Sequence, residues 1–377
     1  MTNKIDNKEP IRVAQVMGKL WAGGVEAVVF NYYRQIDKSK VQFDFFYDAD
    51  STVEPPQELI DMGARFYEIP PYQKVPVYLK TLRKYFKENK YTIVHSHINT
   101  LSVFPLFVAW MERVPVRIAH NHSVPGGNEL KRNLLKNFLK MFAKVFPTDY
   151  FACSEKTGRW MFGDKEFDKG NVVIVKNAVN YEKFRLDEAE ISSYKEKLGL
   201  TDKFVVAHVG RFTYAKNHTF LIKIFSEISK LNKDARLLLV GDGELHDEII
   251  SVIKKYHLED KVVLAGQVSN PEKYYRLADV MVVPSFFEGL SLTTIESQIA
   301  GVPVVISEAV PQEAVISNGC TCLSIEDSVQ AWVDAIMQAS HKKVILNSHA
   351  EEYDVEKRAD SLTDWYISHY KKVKNKK

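Results

Sequence analysis

Short apolar runs alternate with amphipathic stretches along almost the whole chain, and they fall into two series. The first holds Ile11–Met17, Phe43–Tyr47, Ala64–Ile69, Thr92–His97, Val116–His120, Asp149–Ser154 and Val172–Val179. The second holds Phe204–Gly210, Ala235–Gly243, Lys261–Val268, Asp279–Ser285 and Pro303–Ser307. Runs that are apolar at nearly every position suit strands covered on both faces, and helical stretches between them predict parallel βαβ units. A charged segment poor in strand pattern, around Tyr181–Thr201, divides the two series. The expected fold class is α/β, with two Rossmann-like parallel-sheet domains that bind ligands beyond the carboxyl ends of their strands. After Ser324 the pattern is mostly helical, and Trp365, Tyr366 and Tyr370 recur there at helical spacing.

Composition narrows this picture. A chain of 377 residues exceeds one ordinary core, which agrees with two domains. Apolar content of 45% and charged content of 26% are those of a soluble globular protein. A net charge of +3 gives no reason to expect nucleic acid, and the lysine-rich Lys371–Lys377 reads as a solvated end. Cys153, Cys320 and Cys322 make neither a disulfide framework nor a zinc ligand set, so reduced thiols and a cytoplasmic location are expected. No apolar signal core opens the sequence, and no run reaches the length of a bilayer.

The densest chemistry lies in Val283–Ser307, where an apolar run ends in a loop carrying Glu288 and a helical pattern opens at Ser291, ahead of Glu296. Serine is a good helix cap, and free amides at a helix start attract phosphate. Carboxylates beside it suit the hydroxyls of a sugar or a ribose, which are donors. Any single glutamate in such a stretch is more often an ordinary surface residue, so the context carries the reading. Arg211 and Lys216 follow the strand that ends at Val209. Such a pair suits a diphosphate, though it also describes an exposed basic loop. Gly241 opens GDGE after the next strand; His246 stands where a dinucleotide fingerprint needs its third glycine, which disfavours a dehydrogenase. Gly23 and Gly24 lead from the first strand into a helix, where glycines permit close approach of an anion or simply make the turn. His95 with His97 and His120 with His122 end neighbouring strands. No carboxylate or cysteine accompanies them at ligand spacing, so polar lining of a site is a better reading than zinc.

In order and spacing, GGVE, VHSH, GRFTYAKNH, GDGE and SFFEGLSLTTIESQIAGVPVVIS resemble the retaining GT-B glycosyltransferases of family GT4. The likeness is greatest to the bacterial capsule and exopolysaccharide branch and runs from about Ile11 to about Ser324. It implies an N-terminal acceptor-binding domain (residues 1–180), a C-terminal donor-binding domain (181–352) and a last helix (353–377) that crosses back to the first domain across a central cleft. Trp365, Tyr366 and Tyr370 would then pack between domains. By the same resemblance, Glu288 contacts donor-sugar hydroxyls and Glu296 the ribose. Arg211 and Lys216 neutralise the diphosphate, Gly23 and Gly24 lie near the phosphates and acceptor, and His120 or His122 sits beside the reacting sugar. Gly241, Val268, Gly289, Ser291 and Leu292 complete the donor contacts. Ser291, Thr293 and Thr294 depart from the residues many members carry there. The partners implied are a nucleoside diphosphate sugar, with UDP the expected nucleotide, and a glycan or polyprenyl-linked acceptor; no metal or other cofactor is implied.

Three rival readings differ in class. Asp48 and Asp50 spell a DxD after an apolar strand, the mark of a metal-dependent single-domain transferase. A GT-B sugar-nucleotide epimerase would share the donor site, and a non-catalytic partner subunit would share only the fold. Lastly, Glu129–Phe146 predicts a helix with Leu134, Leu135, Phe138, Leu139, Phe142 and Val145 on one arc and Arg132, Lys136, Lys140 and Lys144 in a stripe beside it. That pattern suits either an interfacial helix on an anionic membrane at the inner face of the cell membrane, or a helix packing its apolar arc on the sheet.

Overall fold

The computed structural model describes residues 9–21, 23–124, 130–268 and 270–375. The chain divides into two compact units, one formed by the first 178 residues (without 126–128) together with Asp354–Lys377, the other by Val179–Tyr353.

Unit 1 holds a sheet of β1 (Ile11–Gly18), β2 (Val41–Asp48), β3 (Arg65–Ile69), β4 (Ile93–Ser96), β5 (Val116–Asn121), β6 (Asp149–Ala152) and β7 (Val172–Ile174). The order is β3-β2-β1-β4-β5-β6-β7 and every pairing is parallel. On one face Ala14, Val16, Phe46 and Val94 pack against Tyr78, Leu82 and Phe86, which recur every four residues along the helix Val75–Asn89. The helix Gly24–Gln35 and the 20-residue helix Val355–Lys374 belong to the same unit. Asp354 caps the latter by accepting from the Glu356 amide. Tyr366 of that helix is fully buried and meets Phe43 edge to face at 5.9 Å, and Trp365 meets Phe151 at 4.9 Å. Trp365 and Tyr366, expected to pack between domains, thus pack on the sheet of unit 1.

Unit 2 holds β8 (Phe204–Val209), β9 (Ala235–Val240), β10 (Val262–Gly266), β11 (Val280–Val283), β12 (Val304–Ser307) and β13 (Cys320–Leu323), in the parallel order β10-β9-β8-β11-β12-β13. Its core joins Val206, Leu237 and Val282 to Leu221, Phe225 and Ile228 of the helix His218–Leu231, and to Trp332 and Ile336 of the helix Val329–Ala339. The sequence pattern does not announce β13: CTCL is only four residues long and incompletely buried, and the strand lies at a sheet edge that needs no long apolar run. Two parallel sheets also remove the single-domain reading drawn from Asp48 and Asp50.

The segment expected to be helical over Glu129–Phe146 is helical over Leu130–Lys140 and continues as turns. Glu129 and the Arg132 side chain lie outside the described residues. Of the apolar arc only Leu139 is buried; Leu134, Leu135, Phe138, Phe142 and Val145 are exposed, as is Met141. The arc therefore does not pack on the sheet. No described helix is long and apolar enough to cross a membrane.

Candidate active site

In each unit the strand order reverses beside the first strand, between β1 and β4 and between β8 and β11. Loops that leave neighbouring strands in opposite directions open a crevice at such a point. In unit 2 those loops are Gly210–Asn217 and Pro284–Ser291, and they carry the residues the sequence singles out.

The two loops are stitched together. Asn217, in the left-handed region at φ 53°, donates from Nδ2 to the Pro284 carbonyl at 3.2 Å. The Phe286 amide donates to the Ala215 carbonyl at 2.8 Å, and the Tyr214 and Phe286 rings stack at 4.8 Å. From the helix Leu292–Ile299, Thr293 Oγ1 donates to the Val209 carbonyl at 2.9 Å. None of these four side chains was legible as a site residue, because each acts by fixing a loop.

On this platform Lys216 Nζ donates to Glu288 Oε1 at 2.6 Å, and Ser285 Oγ donates to the same oxygen at 2.7 Å. The side chains are 20% and 9% exposed, so the pair is largely shielded from solvent. Arg211, by contrast, reaches outward to Glu244 at 3.3 Å in an exposed pair. The expected cation pair is thus split, with Lys216 held inside and Arg211 at the surface. Ser291 caps its helix by accepting from the Thr294 amide at 3.4 Å, which leaves Leu292 and Thr293 to supply first-turn amides. Gly289 lies between Glu288 and this cap. Glu296, one turn into the helix, accepts from Tyr275 Oη at 2.6 Å. Burial pushes its carboxyl up to about 7, and the Tyr275 hydrogen bond opposes that shift.

Gly241 follows β9 with φ at +134°, and a Cβ there would lie 2.1 Å from the Gly210 carbonyl oxygen. Its need for glycine is met by packing against the Gly210–Phe212 loop. Val268 follows β10, at the sheet's edge and two strands from β8. Buried His208 contacts the Val282 carbonyl through Nδ1 at 2.8 Å, while its Nε2 has no hydrogen-bond partner among the described residues.

In unit 1, Gly23 caps the helix that Gly24 begins. Here an internal anion already occupies the helix start: Glu26 accepts from the Gly23 amide, and from the Trp21 amide at 2.6 Å. The four histidines share one face of the sheet. His95 contacts Tyr366 Oη at 2.7 Å and His120 Nδ1 at 3.1 Å; His97 contacts His122 at 3.0 Å and Gln15 at 2.8 Å. All four are buried, and His120 Nε2 has no hydrogen-bond partner among the described residues. Burial drives their pKa values well below the usual range, His122 to about 4, so they are neutral at physiological pH and supply no cation to a phosphate. His95, His97 and His120 bring nitrogens within 4.8 Å of one another. A dication there would have to break these hydrogen bonds and lie buried without an anionic ligand in the group. His97 lines a pocket of about 560 Å³ in unit 1, together with Gly24, Asp48 and Asp50; His120 does not.

The model of glycosyl transferases group 1 matches residues 190–357, and that of glycosyltransferase family 4 matches residues 22–183. The chain is 29% identical to the putative glycosyltransferase EpsF of Bacillus subtilis, over 96% of this chain and 97% of that one. It is 24% identical to the UDP-Gal:alpha-D-GlcNAc-diphosphoundecaprenol alpha-1,3-galactosyltransferase of Escherichia coli, over 77% and 78% of the two chains. Among solved structures, HepE of Anabaena in complex with UDP-glucose superposes with a TM-score of 0.71 at 14% identity, covering 97% of this chain and 99% of that one. This last similarity is one of fold.

Proposed function

Because the chain belongs to the family 4 glycosyltransferases of bacterial polysaccharide synthesis, we propose that it moves a sugar from a UDP-sugar to a glycan or polyprenyl-linked acceptor, with retention of configuration and without a metal. The observation that carries this reading is the shielded Lys216–Glu288 pair beside the Ser291-capped helix, at the switch point of the unit 2 sheet.

The pair is a cation and a carboxylate that satisfy each other until a ligand offers better partners. A donor diphosphate draws Lys216 Nζ toward its oxygens, and Glu288 is released to accept from a hydroxyl of the donor sugar. The first-turn amides of Leu292 and Thr293 share the phosphate charge, Arg211 adds a second cation from the surface, and Glu296 accepts from the ribose. During transfer the C1–O bond to phosphate breaks, the acceptor oxygen bonds to C1 on the same face, and its proton passes to the departing diphosphate. Negative charge grows on the leaving group where Lys216 and the amides already stand, so little reorganisation is needed. Donor screening tests the reading: a panel of nucleotide sugars is expected to give thermal stabilisation with one UDP-sugar and sugar transfer from it. Interconversion of that donor without transfer would instead identify an epimerase, and binding without turnover a partner subunit.

The titration of Glu296 adds a pH test. Only its ionised form accepts from two ribose hydroxyls, so UDP affinity is expected to fall as pH drops through about 7. Tyr275→Phe removes the hydrogen bond that lowers this pKa and is expected to move the midpoint upward. Glu296→Gln is expected to lose that step in isotherms measured from about pH 5.5 to about pH 8.5. A midpoint unmoved in Tyr275→Phe would detach Glu296 from donor binding.

The exposed Leu134, Leu135, Phe138 and Met141, with Lys136 and Lys140 on the same helix, support peripheral contact with an anionic membrane at its cytoplasmic face. The wild type is expected to float with vesicles containing anionic lipid, and Lys136→Glu/Lys140→Glu/Lys144→Glu to remain in solution. Equal flotation of both would remove the membrane contact.

A further inference from the structure

Gln15, on β1, is 1% exposed, and its single side-chain amide joins two chains of hydrogen bonds in unit 1. Its Nε2 donates to Tyr366 Oη at 3.3 Å, and its Oε1 meets His97 Nε2 at 2.8 Å. Burial drives the pKa values of His95, His97, His120 and His122 down and that of the Tyr366 hydroxyl up, so each imidazole carries one ring proton and the tyrosine keeps its own. In a neutral imidazole, a nitrogen that accepts leaves the other to donate. The amide therefore fixes every proton beyond it.

Along the first chain Tyr366 accepts from Gln15, so its own proton goes to His95 Nδ1 at 2.7 Å. His95 then donates from Nε2 to His120 Nδ1 at 3.1 Å, and the chain ends on His120 with the proton on Nε2. That N–H has no hydrogen-bond partner among the described residues. Along the second chain the Gln15 carbonyl oxygen can only accept, so His97 donates to it from Nε2, and His97 Nδ1 accepts from His122 Nε2 at 3.0 Å. His122 Nδ1 is left as an acceptor. Its contact with Asn177 Oδ1, at 3.4 Å, is the longest of the set and lies beyond the usual hydrogen-bond range, so it does not reverse the shorter bonds; a half-turn of the Asn177 amide presents an NH2 there instead. The two chains end on rings whose centroids are 3.9 Å apart, one offering a donor and the other an acceptor.

We propose that Gln15 and Tyr366 are positioning residues for the transfer: from one amide they hold His120 as an Nε2–H donor and His122 as an Nδ1 acceptor, so that whichever of the two meets the donor sugar does so in a fixed hydrogen-bonding sense. A sugar hydroxyl can serve either ring, but a ring in the wrong tautomer sets lone pair against lone pair or proton against proton. The proposal rests on the transferase reading for its kinetic consequence; the tautomers themselves belong to the protein alone.

Ring 15N resonances of the full chain labelled at histidine, recorded at about pH 7.5, above the usual histidine pKa, report which nitrogen carries each proton. The wild type is expected to show His95, His97, His120 and His122 all protonated on Nε2. Gln15→Glu puts an acceptor where the amide had a donor, so Tyr366 must donate to it and accept from His95. His95 and His120 are then expected to move their protons to Nδ1, while His97 and His122 keep theirs on Nε2. Tyr366→Phe, which adds no charge, is expected to release His95 and His120 from a single tautomer and to leave the other two rings as they are. Gln15→Leu cuts both chains. Its kcat for transfer from the UDP-sugar that stabilises the protein is expected to fall roughly 5–100-fold, the range for a buried polar group that faces the wrong partner, with the UDP dissociation constant of the wild type. The proposal is overturned by wild-type rings protonated on Nδ1 or divided between the two nitrogens, by four rings that respond alike to Tyr366→Phe, or by wild-type kcat in Gln15→Leu. The expected tautomers in a protein that neither binds nor turns over any nucleotide sugar would overturn the transferase reading and leave the two chains as assigned.

Discussion

Lys216→Met is expected to lower kcat/KM for transfer by roughly 10²–10³-fold, the loss that follows removal of one preorganised donor to a developing anion. The same change is expected to destabilise unit 2, because it strands Glu288, whose side chain is only 9% exposed. Breaking a fully buried pair costs about 3–5 kcal/mol. With Lys216 itself 20% exposed and Ser285 still donating to Glu288, about 2–3 kcal/mol is a fairer expectation, or a fall in Tm of roughly 5–10 °C. The two losses have different causes and can be separated. In Lys216→Met/Glu288→Gln the stranded charge is gone, so most of the stability should return. The activity should not, because the diphosphate still lacks its cation and the sugar its carboxylate. Thermal melts and steady-state kinetics on the single and double variants decide the matter. Recovery of both together would make the pair a structural bridge, and wild-type kcat/KM in the single variant would remove Lys216 from the site.

That separation matters because the sequence makes Lys216 visible as a cation but not as half of an ion pair. Strand-end loops were legible because continuous apolar runs such as Val280–Val283 stop abruptly at polar, small-residue segments, and a parallel α/β sheet puts ligands at those ends. The residues that aim the loops were hidden. Asn217 looks like any loop asparagine until its φ of 53° and its bond to the Pro284 carbonyl are known. Tyr275 reads as core, since nothing local tells that its hydroxyl reaches Glu296 from 21 residues away. The same limit explains the helix after Glu129: its period of apolar positions is clear, but burial of Leu139 and exposure of Leu134 and Phe138 depend on what lies opposite. Gly23 shows the converse. Its place before a helix was readable, whereas the occupation of its amide by Glu26 needed the fold.

Gly241→Ala is expected to be the most damaging single methyl that unit 2 can acquire. The residue sits at φ +134°, a backbone region that L side chains avoid, and its Cβ would lie 2.1 Å from the Gly210 carbonyl oxygen. Backbone strain alone costs about 1–3 kcal/mol, and a contact so far inside van der Waals range must be relieved by moving one chain or the other. Neither move is local. Gly210 opens the loop that carries Arg211 and Lys216, and its amide donates to the Val240 carbonyl at 2.9 Å, so displacing it pulls on β9 as well. The variant is therefore expected to lose more than about 4 kcal/mol, with UDP binding lost in whatever protein remains folded. Gly163→Ala supplies the control: its φ of +88° is also strained, yet nothing lies within 4 Å of the added methyl. It should cost only the strain, about 1–3 kcal/mol, and leave UDP affinity intact. Urea denaturation and UDP titration of the two variants give the comparison. Similar stability in both would mean that the Gly210 loop yields freely, and the case for a donor platform held rigid between β8 and β9 would fail with it.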